Sequence, residues 1–282
     1  MPLYKPSELM QFLHEIDASP KKRLSQNFLI DGNIIRKIVQ TAHVQPGDIV
    51  LEIGPGPGVL TEACLEAGAH VIAVEKDTVL ANALKRLNPE GDRLSVHTMD
   101  IMDFDVSQEV PKGKKVKVIA NLPYHLTTPI LAKLVENHAL FSMIVVMVQD
   151  EVARRFTAKP HTSEYSSFTV FLDYYSTPHY AFSVSRHCFF PAPRVDSAVV
   201  KLVLKENSTF EDPSPFFKMT RTAFGHRRKM LRSSLRDLYG SEVVLAALKI
   251  MGKLETARPE EFSLQEFLLL FDALKRVQDI QK

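Results

Sequence analysis

The chain has 282 residues, enough for one large domain or a large and a small one. Its net charge is only +2, so binding to nucleic acid must depend on where the cations lie rather than on their sum. Two isolated cysteines, Cys64 and Cys188, and ten dispersed histidines exclude a disulfide framework and a recognisable metal site, and no apolar run approaches membrane-spanning length.

No basic stretch followed by an apolar one opens the chain, so a cytoplasmic protein is expected. Ser7 is placed to cap a short amphipathic helix carrying Leu9, Phe12, Leu13 and Ile16. The segment PKKRLSQNFL at 20–29 is open between two readings. It is either a solvated linker or a lid, with Lys21, Lys22 and Arg23 toward phosphate and Gln26 and Asn27 toward a ligand. A helix is predicted over 33–42, with Ile34, Ile35, Ile38 and Val39 on its apolar face. After Pro46-Gly47 the run DIVL at 48–51 has the character of a buried parallel strand.

That strand leads into EIGPGPGVLT at 52–61. Gly54, Gly56 and Gly58 allow a sharp turn and a close approach by a ligand, Pro55 and Pro57 stiffen the loop, and helical character begins at Val59. The spacing departs from the dinucleotide pattern G-x-G-x-x-G, because Val59 stands where the third glycine should be. The next strand ends at Glu75, about 20 residues beyond Gly54, where such folds place a carboxylate for ribose hydroxyls. Adenosine without a diphosphate, as in S-adenosylmethionine, fits; the competing reading is a plain tight turn. A helix over 79–87 and a strand over 94–97 follow, and Asp100 stands either to accept from an adenine amino group or to cap a helix. Lys112, Lys114, Lys115 and Lys117 read as a solvated face.

A fourth strand at 116–120 delivers Asn121-Leu122-Pro123-Tyr124. An adenine amino nitrogen is a weak nucleophile because its lone pair is delocalised into the ring. Two acceptors on its two hydrogens, the Asn121 side-chain carbonyl and the Leu122 main-chain carbonyl, would draw it toward tetrahedral geometry. Tyr124 would give a flipped base a face to stack on, unless this is simply an Asn-x-Pro turn with a packed tyrosine. Residues 142–148 read as a fifth strand, 149–156 as a helix and 158–167 as a mobile loop. The stretch 169–205 reads as β-rich, ending in the antiparallel hairpin that would complete a seven-stranded methyltransferase sheet; Phe190 is either a second stacking platform or core. Beyond about 206 the chain becomes helical, and a basic helix is expected over 218–236, where Lys218, Arg221, Arg227, Arg228, Lys229, Arg232 and Arg236 meet no acid.

QNFL at 26–29, EIGPGPGVLT at 52–61, Glu75, Asp100, NLPY at 121–124, FFPAPRVDS at 189–197 and AFGHRRKML at 223–231 together resemble the ribosomal RNA adenine N6,N6-dimethyltransferases, over nearly the whole chain. The resemblance implies an α/β, Rossmann-like sheet of seven strands with a small all-helical C-terminal domain. Residues 1–206 would form the S-adenosylmethionine-dependent domain with its lid segment, and 207–282 the RNA-binding one. It further implies that Asn27, Leu29, Gly54, Glu75, Asp100 and Asn121 contact S-adenosylmethionine, that Asn121, Leu122, Tyr124 and Phe190 serve the reaction, and that Arg221, Arg227, Arg228 and Lys229 face RNA. The substrate implied is a pair of adjacent adenosines in a hairpin near the 3′ end of small-subunit RNA, within an assembling subunit and with the enzyme a monomer. Ser25, His161 and Ser166 stand where the family usually has glycine, which puts loop conformation in question. A large-subunit methyltransferase of the antibiotic-resistance type, a DNA adenine methyltransferase and a non-catalytic assembly factor stay open. FFPAPRVDS and the basic run favour the small-subunit group.

Overall fold

The computed structural model describes residues 3–21, 24, 26–88, 90–111, 113–206, 209–226 and 229–280. Nine strands follow in chain order: β1 Phe28–Leu29, β2 Ile49–Ile53, β3 His70–Glu75, β4 Leu94–Thr98, β5 Val116–Asn121, β6 Phe141–Gln149, β7 Ser176–Val184, β8 Phe189–Phe190 and β9 Ser197–Leu204. Seven form one sheet in the order β4-β3-β2-β5-β6-β9-β7, and β1 pairs with β8 in a separate two-stranded ladder. Pairing is parallel from β4 across to β6 and antiparallel between β6 and β9. The chain passes outward from β2 to β3 and β4, then returns to β5 on the other side of β2. The carboxyl ends of β2 and β5 therefore flank the point where the winding direction reverses, the usual ligand crevice of open α/β sheets.

Apolar β2, β3, β5 and β6 are buried almost throughout, with Val50, Leu51, Val118, Ile119, Ile144 and Val146 fully enclosed, as a sheet covered on both faces requires. The expected helix at 33–42 spans Gly32–Thr41, capped by Asp31, whose side chain accepts from the Asn33 and Ile34 N–H groups. At the amino end the helix is Pro6–Glu15 and Ser7 lies inside it; Pro6 occupies the first helical turn, where a missing N–H costs nothing.

Contacts divide the chain into two compact units, one of residues 1–153 and 177–206, the other of 154–176 and 207–282. The second begins earlier than a boundary at 206 suggests. The stretch from 169, expected to be β-rich, opens instead as the helix Ser167–Tyr175, fastened by a reciprocal capping box between Ser166 and Thr169. Phe168, Phe171 and Tyr175 recur at helical spacing, and Phe171, Tyr174 and Tyr175 each meet Phe217 of the helix Ser214–Gly225. Aromatic residues favour strands by propensity, but burial of this face decides otherwise. The loop before it is anchored: the His161 N–H donates to the Glu260 carbonyl and Tyr165 is fully buried. His161 holds φ at +69°, a conformation that glycine would adopt without strain.

The acid-free run 218–236 is not one helix. Among its described residues, the helix Ser214–Gly225 ends inside it and two short helices, Leu231–Ser234 and Arg236–Tyr239, follow. Helices Ser241–Ile250 and Leu264–Ile280 complete the second unit.

Candidate active site

At the carboxyl ends of β2, β3 and β5 lies a cavity of about 200 Å³, and the loop after β2 forms its floor. Gly54 and Gly56 both hold positive φ, +65° and +58°, for different ends. A Cβ on Gly54 would meet nothing within 4 Å, so this backbone lies open to a ligand, whereas one on Gly56 would strike the Phe28 ring at 3.1 Å. The second glycine thus lets an aromatic ring from the segment at 26–29 lie directly on the loop.

Glu75, the last residue of β3, is 6% exposed. Its Oε2 accepts from the Gly56 N–H at 2.9 Å and its Oε1 from the Asp77 N–H at 2.8 Å. Burial pushes its carboxyl upward while these N–H donors pull it back. The carboxylate is therefore held rigidly, with lone pairs left for hydroxyl donors. Asp100 also lines the cavity. Its Oδ2 accepts from Lys76 Nζ at 2.8 Å and its Oδ1 from the Met102 N–H at 2.9 Å, and these two bonds hold its carboxyl below the usual range. It caps a turn, not a helix.

Asn121 ends β5 and Leu122 follows it, 1% exposed, with its N–H on the Met147 carbonyl at 3.1 Å. The Asn121 Nδ2 donates to the Asn27 carbonyl at 3.0 Å. The amide is thereby oriented, and Oδ1 remains as its acceptor. Tyr124 is half-buried, its hydroxyl 3.0 Å from the fully buried Ser197 Oγ at the start of β9. Burial raises its phenol, so Tyr124 stays neutral. Asn27, Leu29, Gly54, Glu75, Asp100, Asn121, Leu122 and Tyr124 thus share one cavity wall.

The residues 18–276 match the family described as ribosomal RNA adenine dimethylase. The chain belongs to that family. It is 58% identical over 278 residues to the Ribosomal RNA small subunit methyltransferase A of Protochlamydia amoebophila, across 97% of this chain and 98% of that protein. It is 49% identical over 271 residues to the protein of the same name from Chlamydia abortus, across 94% and 96%. A crystal structure of a dimethyladenosine transferase from Plasmodium falciparum superposes with a TM-score of 0.79 at 27% identity, covering 89% of this chain and 98% of that one. This ribosomal RNA adenine dimethylase is accordingly an S-adenosylmethionine-dependent methyltransferase, built on the seven-stranded sheet of that class.

The dimethylase's cavity has groups that could hold that cofactor: an open glycine backbone, the fixed Glu75 carboxylate, which could accept from hydroxyls, and Asp100 just beyond β4, which could accept from an amino group. Phe190 is partly buried. It is paired with Phe28 across the β1–β8 ladder, packs against a cluster of Leu9, Leu13, Phe28 and Leu80, and is not among the residues lining the cavity. Arg221 and Lys229 are exposed and pair with no acid among the described residues; Arg227 and Arg228, like Lys22, Arg23 and Ser25, lie outside those described. Arg232 and Arg236 have acidic partners in their own unit, Glu255 and Asp237. Lys21 pairs with Asp77 rather than standing free for phosphate. Among the described residues no group of side chains could hold a metal ion, and no helix is long and apolar enough to cross a membrane.

Two buried carboxylates escaped the sequence reading, Glu52 on the cavity and Asp77 just behind Glu75. Glu52 is 1% exposed at the end of β2, its Oε2 accepting from Thr61 Oγ1 at 2.6 Å while Oε1 has no partner. Burial, eased in part by Thr61, pushes its carboxyl up to about 8. A lone carboxylate inside the apolar run 49–53 was the available signal. Asp77 caps the helix Thr78–Leu84 and has a second set of partners as well.

Proposed function

We propose that this enzyme dimethylates N6 of two adjacent adenosines in a hairpin near the 3′ end of small-subunit ribosomal RNA, acting in the cytoplasm as a monomer on an assembling subunit. The relatives named for the small subunit support the choice of RNA. The observation that carries the chemistry is the Asn121 amide, oriented by the Asn27 carbonyl at the end of β5. Its Oδ1 and the Leu122 carbonyl accept the two N6 hydrogens and localise the nitrogen lone pair, while Tyr124, steadied by Ser197, stacks on the base. Bound S-adenosylmethionine supplies the electrophilic methyl group. Glu75 and Asp100 hold the nucleoside end of the cofactor, so the side chains contribute positioning and polarisation. After the first transfer one hydrogen remains on N6, and one acceptor is enough to orient it for the second. Arg221 and Lys229 meet RNA phosphates from the helical unit.

The test offers labelled cofactor to small-subunit particles, large-subunit particles and duplex DNA, followed by nucleoside analysis. Dimethyladenosine from the small subunit is expected. Label in the large subunit or DNA would contradict the substrate, and binding without label would mark an assembly factor.

A further inference from the structure

Asp77 does more than a helix cap requires. It is 5% exposed and stands two residues beyond Glu75. Its Oδ1 accepts from the Val79 N–H at 3.1 Å, which caps the helix Thr78–Leu84, and its own N–H donates to Glu75 Oε1. One oxygen is enough to cap a helix. The other, Oδ2, meets Lys21 Nζ at 2.6 Å and Gln26 Nε2 at 3.3 Å, from a distant part of the chain. Gln26 in turn accepts the Lys21 N–H through Oε1 at 2.8 Å, so the two residues bind Asp77 as a pair.

Immediately after Gln26 the chain becomes cavity wall. The Asn27 carbonyl orients Asn121, the Phe28 ring lies on Gly56, and Leu29 lines the cavity. On their far side the short ladder to Phe189 and Phe190, the Ile30 N–H on the Cys188 carbonyl, and packing of Phe28 and Leu29 into the core also hold them. Asp77 adds a charged link between the chain leading into this wall and the strand end that carries Glu75.

We infer that Asp77 is a positioning residue: through Lys21 and Gln26 it sets Asn27, Phe28 and Leu29 at the distance from Glu75 and Gly56 that a bound cofactor needs. The inference rests on the cavity being the S-adenosylmethionine site. It assigns Asp77 no contact with the cofactor and no part in the chemistry. A plain tether is the competing role. A tether would change how firmly the amino-terminal segment is held without changing how long a ligand stays.

The two roles separate in the binding kinetics of S-adenosylhomocysteine, which cannot react. Asp77→Asn keeps the helix cap, because asparagine caps as well as aspartate, and removes the charge that Lys21 meets. Lys21→Met removes the cation, and Lys21→Arg restores it. Dissociation measured by stopped flow should quicken about fivefold in Asp77→Asn and in Lys21→Met, the scale of one partly exposed ion pair. It should quicken no further in the double variant and return toward wild type in Lys21→Arg. Thermal unfolding without ligand should barely move. Unchanged dissociation in both single variants, single effects that simply add, or an unfolding loss without a kinetic one would overturn the inference. Wild-type protein that binds no S-adenosylhomocysteine would instead overturn the cofactor reading beneath it, and Glu75→Ala, expected to weaken binding whatever Asp77 does, tells those two failures apart.

Discussion

The two compact units bury polarity in opposite ways. In the unit of residues 1–153 and 177–206, three carboxylates lie below one-tenth exposure, Glu52 and Glu75 on the cavity and Asp77 two residues beyond Glu75. In the other unit no carboxylate or cation among the described residues is as buried as these; its buried serine and threonine hydroxyls are those of Thr169, Ser176, Thr220 and Ser234. Each of those donates to a carbonyl nearby: Arg155, Leu172, Phe217 and Leu231. Its interior is apolar, aliphatic and aromatic, with Tyr174, Phe210, Phe216, Phe217 and Phe271 forming one connected ring cluster, and the cations Arg221 and Lys229 stay outside. Buried charge is costly unless it is partnered. One unit therefore carries a cost that a binding site explains, and the other is an apolar support for a charged surface.

The sharpest way to break the comparison is to damage each interior and ask what is lost. Phe216→Ala removes a fully buried ring from the aromatic cluster and should lower unfolding free energy by about 3–5 kcal/mol. Affinity for S-adenosylhomocysteine should be unchanged in the protein that remains folded. Urea titration beside calorimetry reads both, and a large loss of affinity would show that the helical unit shapes the cavity.

Glu52 tests the opposite interior through pH. Its folded pKa, about 8, lies above the ordinary carboxyl value, so the native state binds more protons than the unfolded one between roughly pH 4.5 and 8. Stability from this group is fully present below pH 4.5 and is lost as pH rises toward 8, by up to about 1.4 kcal/mol per pH unit. Glu52→Gln should flatten that part of the stability profile. Parallel profiles for wild type and variant would refute the assignment.

Glu75→Ala should weaken cofactor binding by about 1.5–3 kcal/mol through the loss of charge-assisted hydrogen bonds. Calorimetry with folded variant decides it, and wild-type affinity would remove Glu75 from the site. The smallest effect belongs to the surface. Arg221→Ala with Lys229→Ala should flatten the logarithmic salt dependence of RNA binding by about one to two units, at unchanged cofactor affinity. An unchanged salt slope with a lowered melting temperature would give these cations a structural role instead.

Much of the first unit was legible because its signals are local. The glycine run, the acid after β3 and the NLPY tetrapeptide each sit at a strand end, and an apolar strand followed by a turn residue is visible along the chain. What escaped depended on contacts between distant residues. The union of Asp77 with Lys21 and Gln26 is a tertiary fact. The helix Ser167–Tyr175 was hidden because its aromatic residues favour strands, while the partners that decide the matter, Phe216 and Phe217, come some 40 residues later. Phe190 shows the same limit: its packing against the cluster of Leu9, Leu13, Phe28 and Leu80 is not visible in any spacing within FFPAPRVDS.

Single-turnover methyl transfer by Asn121→Ala tests the central claim most directly, with cofactor and RNA affinities measured on the same protein. Losing one preorganised acceptor should slow transfer by about 10²–10³-fold while RNA affinity stays at the wild-type level. Near wild-type transfer by a folded Asn121→Ala enzyme would contradict the account, because the Asn27-oriented amide would then not be what activates the adenine nitrogen.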